Sequence, residues 1–232
     1  MNSVMYKGKK IKVTTLPQRP ESKKALLKNL NLRGMEINSI DEIDGLSELR
    51  ELHYLDLSLN NLTEIKNLDN LSKLINLNLE NNRISEIKGL DNLKDLRRLN
   101  LGKNQISEIK GLESLRKLSK LDLSSNSISE IKGLDNLKEL GSLDLGFNQI
   151  REIQGFNELR KIWYMNLCSN KITKIKGLDS LRELTEIDLQ ENQISSIEGM
   201  EVLYGRKVYF FNNPIPPEQL DKIRDKVDMT VD

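Results

Sequence analysis

Apolar residues return along this chain with one fixed period. An asparagine closes the same phrase every 22 residues, at Asn38, Asn60, Asn82, Asn104, Asn126, Asn148, Asn170 and Asn192. One apolar column reads Ile43, Ile65, Ile87, Ile109, Ile131, Ile153, Ile175 and Ile197, and another reads Leu49, Leu71, Leu93, Leu115, Leu137, Leu159, Leu181 and Leu203. Spacing inside a period changes midway. Leu55 and Leu57 are two apart, the alternation of a strand, whereas Leu62, Ile65, Leu68, Leu71 and Leu74 are three apart, as in turns or 3₁₀ coils. Each period therefore predicts a short strand and a tight curved return. Successive strands pair in parallel, about 4.8 Å apart. Such a chain is a stack of coils, not a globule around one centre, and its function belongs to a surface.

The invariant polar positions have physical reasons. A coil that turns inward buries backbone N–H and C=O groups, and Asn supplies donors and an acceptor for two neighbouring coils. Asp lacks the donors, and Leu would strand backbone groups at about 1–3 kcal/mol each. Gly45, Gly89, Gly111, Gly133, Gly155, Gly177 and Gly199 form a second column, where the return requires positive φ. Asn67 stands in that column and is the next most tolerant residue.

The phrase Leu-x-Leu-x-x-Asn-x-Ile-x-x-Ile-x-Gly-Leu-x-x-Leu-x-x-Leu resembles the 22-residue leucine-rich repeat. That subclass occurs in a nuclear regulatory subunit of protein phosphatase 1 and in bacterial internalins. The likeness spans about residues 33–211. It implies an α/β fold, a right-handed solenoid with a concave parallel β-sheet and a 3₁₀ or short-helical convex side. Three segments are expected: an N-terminal cap over residues 1–32, the solenoid over 33–211 with eight full periods and a terminal strand, and a C-terminal capping helix over 212–232. In the cap, Lys9–Val13 alternates like a strand and Glu21–Leu30 reads as a helix. At the other end, Val208–Phe211 reads as the last strand, and Leu220, Ile223 and Val227 share one face of a helix over Glu218–Val227.

Composition narrows the chemistry. Net charge is +1, but residues 1–28 hold eight Lys/Arg against one Glu. This basic arm reads as a solvated cap, or alternatively as a contact for nucleic acid or acidic lipid. The single cysteine, Cys168, permits no internal disulfide, and no apolar run approaches a membrane span. A cytoplasmic, monomeric chain is expected. His53 is the only histidine and reads as structural, just before a strand. No nucleotide loop or calcium loop appears, so neither catalysis nor a cofactor or metal is expected. Glu86, Glu108, Glu130 and Glu152 face a lysine column on a charge-balanced flank.

If the strand leucines face inward, the residues between them line the concave side in three columns. The first contains Tyr54, Arg98 and Tyr164; the second contains Asp56, Asp122, Asp144 and Asp188; the third contains Cys168. Phe147 and Trp163 break their own columns, and Gly141 leaves room beside Trp163. With Tyr164 these aromatics are expected to cluster as a hot spot in a chain that is only 4% aromatic. The function expected is a non-catalytic scaffold that binds a protein partner through Tyr54, Asp56, Arg98, Asp122, Asp144, Phe147, Trp163, Tyr164 and Asp188. The resemblance implies a narrower alternative, a regulatory subunit of a phosphatase-type enzyme.

Overall fold

A computed structural model describes residues 2–16 and 27–229. Strands β1 (Ser3–Tyr6) and β2 (Lys9–Lys12) form an antiparallel hairpin. Its turn residues Lys7 and Gly8 both adopt positive φ, which suits the right-handed strand twist. The hairpin is tied to the first coil by backbone bonds between Met5 and Asp44 and by the Tyr6 hydroxyl, which donates to the Glu36 carbonyl at 3.1 Å.

One eleven-stranded sheet carries the rest. It begins with β3 (Thr14–Leu16), antiparallel to β4 (Leu27–Asn31). From β4 onward every pairing is parallel and sequential. The strands are β5 (Leu52–Asp56), β6 (Asn76–Asn78), β7 (Arg98–Asn100), β8 (Lys120–Asp122), β9 (Ser142–Asp144), β10 (Tyr164–Asn166), β11 (Glu186–Asp188), β12 (Lys207–Tyr209) and β13 (Asp228–Met229). The leucine column and the isoleucine column from Ile43 to Ile175 are buried between this sheet and the returns in one continuous core, against which the half-buried Ile197 packs.

The returns are tighter than short helices. In the second coil the Leu71 N–H donates to the Leu68 carbonyl and the Leu74 N–H to the Leu71 carbonyl, both at 2.9 Å. Each closes one i to i+3 turn, and the next residue swings away before a helix can propagate. Among the described residues 3₁₀ helices occur only toward the two ends, at Ile40–Glu42, Leu46–Glu48 and Met200–Leu203. The glycine column does adopt positive φ, +69 to +85° from Gly89 to Gly199, and Asn67 joins it at +57°. A second cause is close approach between coils. A Cβ on Gly133 would lie 2.5 Å from the Ile109 carbonyl oxygen.

The asparagines stitch the coils as expected, with one correction. Asn148 Nδ2 donates to the carbonyls of Leu145 and Gly146 in its own coil and of Leu123 in the preceding one, while its Oδ1 accepts the Ile128 N–H. The same set recurs from Asn82 to Asn192, and Asn60 bonds in the same way. Asn38, however, is exposed and outside this ladder. In the first coil Leu30 lies opposite Leu55, three residues more than the period, so the insertion carries Asn38 away from the strand exit. Asn60 Oδ1 instead accepts the N–H groups of Met35 and Ile37. At the far end Asn213 supplies a rung, donating to Leu189 and Phe210 and accepting from Ile194, although it lies one residue short of the period.

Both ends differ from the helices read in the sequence. Residues 21–26 of the expected Glu21–Leu30 helix lie outside the described residues, and Leu27–Asn31 is strand β4. The parallel ladder to β5 takes its backbone groups. At the C-terminus the helix α1 spans only Pro217–Leu220. The chain continues in turns that bury Ile223 and Val227, and β13 then pairs with β12. A strand, not a long helix, therefore ends the sheet among the described residues.

Candidate binding face

The three concave columns follow from strand register. Tyr54 pairs with Asn76, Asn76 with Arg98, Arg98 with Lys120, Lys120 with Ser142, Ser142 with Tyr164, and Tyr164 with Glu186. Asp56, Asp122, Asp144 and Asp188 fall in the second column, in register with Asn78, Asn100 and Asn166. An open groove of about 450 Å³ runs along them from Asn29 to Tyr164.

The Asp/Asn column has a structural job in every coil. Each side chain accepts the backbone N–H two residues on: Asp56 from Ser58, Asn100 from Gly102, Asp144 from Gly146, Asp188 from Gln190. The strand ends there, and the Asx bond holds the N–H that the sheet no longer uses. Sharing between coils is sparse, with Asn166 Nδ2 donating to Asp144 Oδ2 at 3.2 Å. Burial and the neighbouring Asp122 push the Asp144 carboxyl above its ordinary range; burial does the same at Asp188, with Glu191 and Glu186 adding to it.

Trp163 is 45% exposed and leans over Gly141, where a Cβ would meet its Cδ1 and Nε1 at 3.0 Å. Its ring centroid lies 5.9 Å from that of Tyr164. Phe147 is 57% exposed but does not join them. It occupies the positive-φ position after the strand, shared with Leu59, Asn81, Lys103, Ser125, Ser169 and Glu191, whereas Trp163 stands before the strand. Adjacency of coils places the two on opposite lips of the sheet, so the expected three-ring cluster reduces to a pair and an outlier. Burial, with Asp144, Asp188 and Glu186 around it, pushes the Tyr164 hydroxyl up to about 12. Burial and the same two aspartates raise the Cys168 thiol to about 11, which keeps it protonated and unreactive near neutrality.

Two residues of this face escaped the sequence reading. Tyr209 joins the second column opposite Asp188, its hydroxyl donating to Glu186 Oε1 at 3.2 Å. Phe211 follows in the third column and is 61% exposed. Buried Val208 and Phe210 alternate with them, and that alternation was the available signal; the 21-residue offset of β12 hid it.

Other features are structural. His53 lies within β5, and its Nδ1 accepts the Lys28 N–H at 3.3 Å. On the flank, lysines bridge to the glutamates of the preceding coil, as Lys110 does to Glu86 at 2.9 Å and Lys176 to Glu152 at 3.2 Å. Gln154 interrupts the lysine column. Among the described residues no cluster of His, Cys, Asp or Glu is arranged to hold a metal, and no helix is long and apolar enough to cross a membrane.

Comparison with known proteins agrees with this architecture. A family model described as Leucine Rich repeats (2 copies) matches residues 72–114 and 116–158. Among solved structures the chain is similar to an internalin, inlF, from Listeria monocytogenes str. 4b F2365, with 27% identity over 91% of this chain and 71% of that one, and a TM-score of 0.68. It is similar to TLR13 in a TLR13–ssRNA13 complex, with 28% identity over 73% of this chain and 26% of that one, and a TM-score of 0.66. A chain of the Drosophila Toll–Spatzle complex shares the fold, with 23% identity over 81% of this chain and 28% of that one, and a TM-score of 0.72. No curated protein sequence matches.

Proposed function

We propose that this chain, whose residues 72–114 and 116–158 match a leucine-rich repeat model, is a non-catalytic interaction module that docks a protein partner on its concave sheet. One observation carries this reading: Trp163 stands half exposed beside Tyr164, on a sheet whose backbone is locked by the asparagine ladder. A large rigid side chain on a preformed surface loses little entropy when covered, which favours a hot spot there. Tyr54, Asp56, Arg98, Asp122 and Asp144 line the same face, Asp188 continues it in register with Asn166, and Phe147 extends it along one lip. The similar protein TLR13 was solved in complex with ssRNA13. A nucleic acid on this chain's concave face would set its phosphates against the Asp column, which opposes that occupant. We place the protein in the cytoplasm as a monomer.

The test is differential affinity capture with the wild type and a Phe147→Ser/Trp163→Thr/Tyr164→Ser variant. Each replacement is the residue that a neighbouring coil carries at that position, namely Ser125, Thr185 and Ser142. The variant is expected to fold and to lose specific partners. Identical partner lists would end the reading. Phosphatase activity in the wild-type fraction alone would support the regulatory-subunit version.

A further inference from the structure

Charge is distributed unevenly along the concave face. In its first half, Arg33, Arg98, Lys103 and Lys120 stand among Asp56, Glu80 and Asp122, and Lys103 Nζ reaches Glu80 at 2.8 Å. From β9 to β11 the columns read Ser142, Asp144, Gly146, then Tyr164, Asn166, Cys168, then Glu186, Asp188, Gln190. Three carboxylates lie there without an opposing cation until Lys207. That lysine sits at the far edge, 3.9 Å from Glu186 and over the Tyr209 ring. Among the described residues no ion pair forms at Asp144 or Asp188.

The carboxylates surround aromatic rings. Tyr164 lies between Ser142 and Glu186 in the sheet, with Trp163 beside it. Its in-register neighbour toward the first half is the small Ser142, while Asn166 and Cys168 lean over Gly146. A Cβ on Gly146 would already crowd Asn166 Nδ2 at 2.9 Å and Cys168 Sγ at 3.0 Å.

We infer that the concave face from β9 to β12 receives an extended, lysine- or arginine-bearing segment of the partner protein. The inference rests on the concave docking reading and adds the partner's chemistry to it. A cationic head would pair with Asp144, Asp188 and Glu186 while its aliphatic stem lies on Trp163 and Tyr164. Arg98 and Lys120 repel such a segment from the first half, which fixes its place along the solenoid. Removal of unpaired, partly buried carboxylates from water is offset only when a cation arrives.

The test uses fluorescein-labelled eight-residue peptides of alternating Lys and Ala, with a Glu/Ala counterpart, titrated with the full chain and followed by anisotropy. The variant Asp144→Asn/Glu186→Gln/Asp188→Asn removes the charge. It keeps the Asx bonds, since Asn78, Asn100 and Asn166 make the same bond in other coils. The control, Glu86→Gln/Glu108→Gln/Glu152→Gln, removes the same charge from the lysine-bridged flank. Saturable binding of the Lys peptide, weakened roughly tenfold or more by the first variant and little by the control, is expected. Failure to bind the Lys peptide, or equal weakening by both variants, overturns the inference. So does sedimentation showing self-association that the first variant abolishes, because the occupant is then a second copy. If affinity capture is lost with the aromatic variant but unchanged with the carboxylate variant, the cationic occupant falls and the concave reading stands. If neither variant alters capture, both fall.

Discussion

Gly141 lies beneath the Trp163 indole, one coil away, with space for a hydrogen and not for a methyl group: a Cβ there would stand 3.0 Å from both Cδ1 and Nε1. Ring and glycine are therefore one device, in which the missing side chain lets the indole lie along the sheet edge. Because Trp163 is the only tryptophan, its fluorescence reports this contact alone. Gly141→Ala is expected to swing the indole outward and shift its emission to longer wavelength. The stability cost should be small, about 1 kcal/mol or less, because the ring is already half in water. An unchanged emission spectrum would show that the ring does not depend on Gly141.

The asparagine ladder makes a sharper prediction. Asn148→Ala leaves the Ile128 N–H without its partner and takes one of two donors from the carbonyls of Leu123, Leu145 and Gly146, which keep Asn126, Asn170 and the Ser125 N–H. Urea denaturation is expected to show a loss of roughly 3 kcal/mol or more. Asn38→Ala, at the position with the same sequence period, should change stability by less than about 0.5 kcal/mol, because Asn38 is exposed. Equal losses at the two sites would refute the altered start of the ladder.

The glycine column is constrained twice, by φ and by distance. At Gly133, φ is +73° and a Cβ would meet the Ile109 carbonyl oxygen at 2.5 Å. Gly133→Ala is expected to cost about 2 kcal/mol or more in a thermal melt, more than the intrinsic left-handed penalty of about 1–2 kcal/mol. Asn67→Gly, at the same turn with φ +57°, should be near neutral.

Thiol chemistry follows the charge of the concave face. With its folded value near 11 against an ordinary 9.0, Cys168 stays protonated across pH 9 to 11 while an unfolded thiol ionises. The native state holds more protons in that window, so this group's contribution to stability is present below pH 9 and lost as pH rises toward 11. Iodoacetamide labelling of the native chain is expected to accelerate near pH 11 instead of near 9. Asp188→Asn should move that inflection downward, since Asp188 helps to hold the thiol neutral.

Much of this molecule was present in its period. The spacing of Leu55 and Leu57, of Leu62 to Leu74, and the recurrence of glycine and asparagine determined parallel strands, tight returns, positive φ and the identity of the concave columns, because each repeat meets only copies of itself. Identical neighbours make local pattern and tertiary contact the same information. Where the repetition breaks, only the tertiary structure decided. Asn38 keeps the sequence period yet leaves the ladder, because three extra residues in the first coil separate strand register from return register. Asn213 breaks the period yet completes the ladder. Phe147 and Trp163 stand in adjacent coils but at opposite ends of the strand position, and distance across a sheet is set by where each backbone turns, not by coil number.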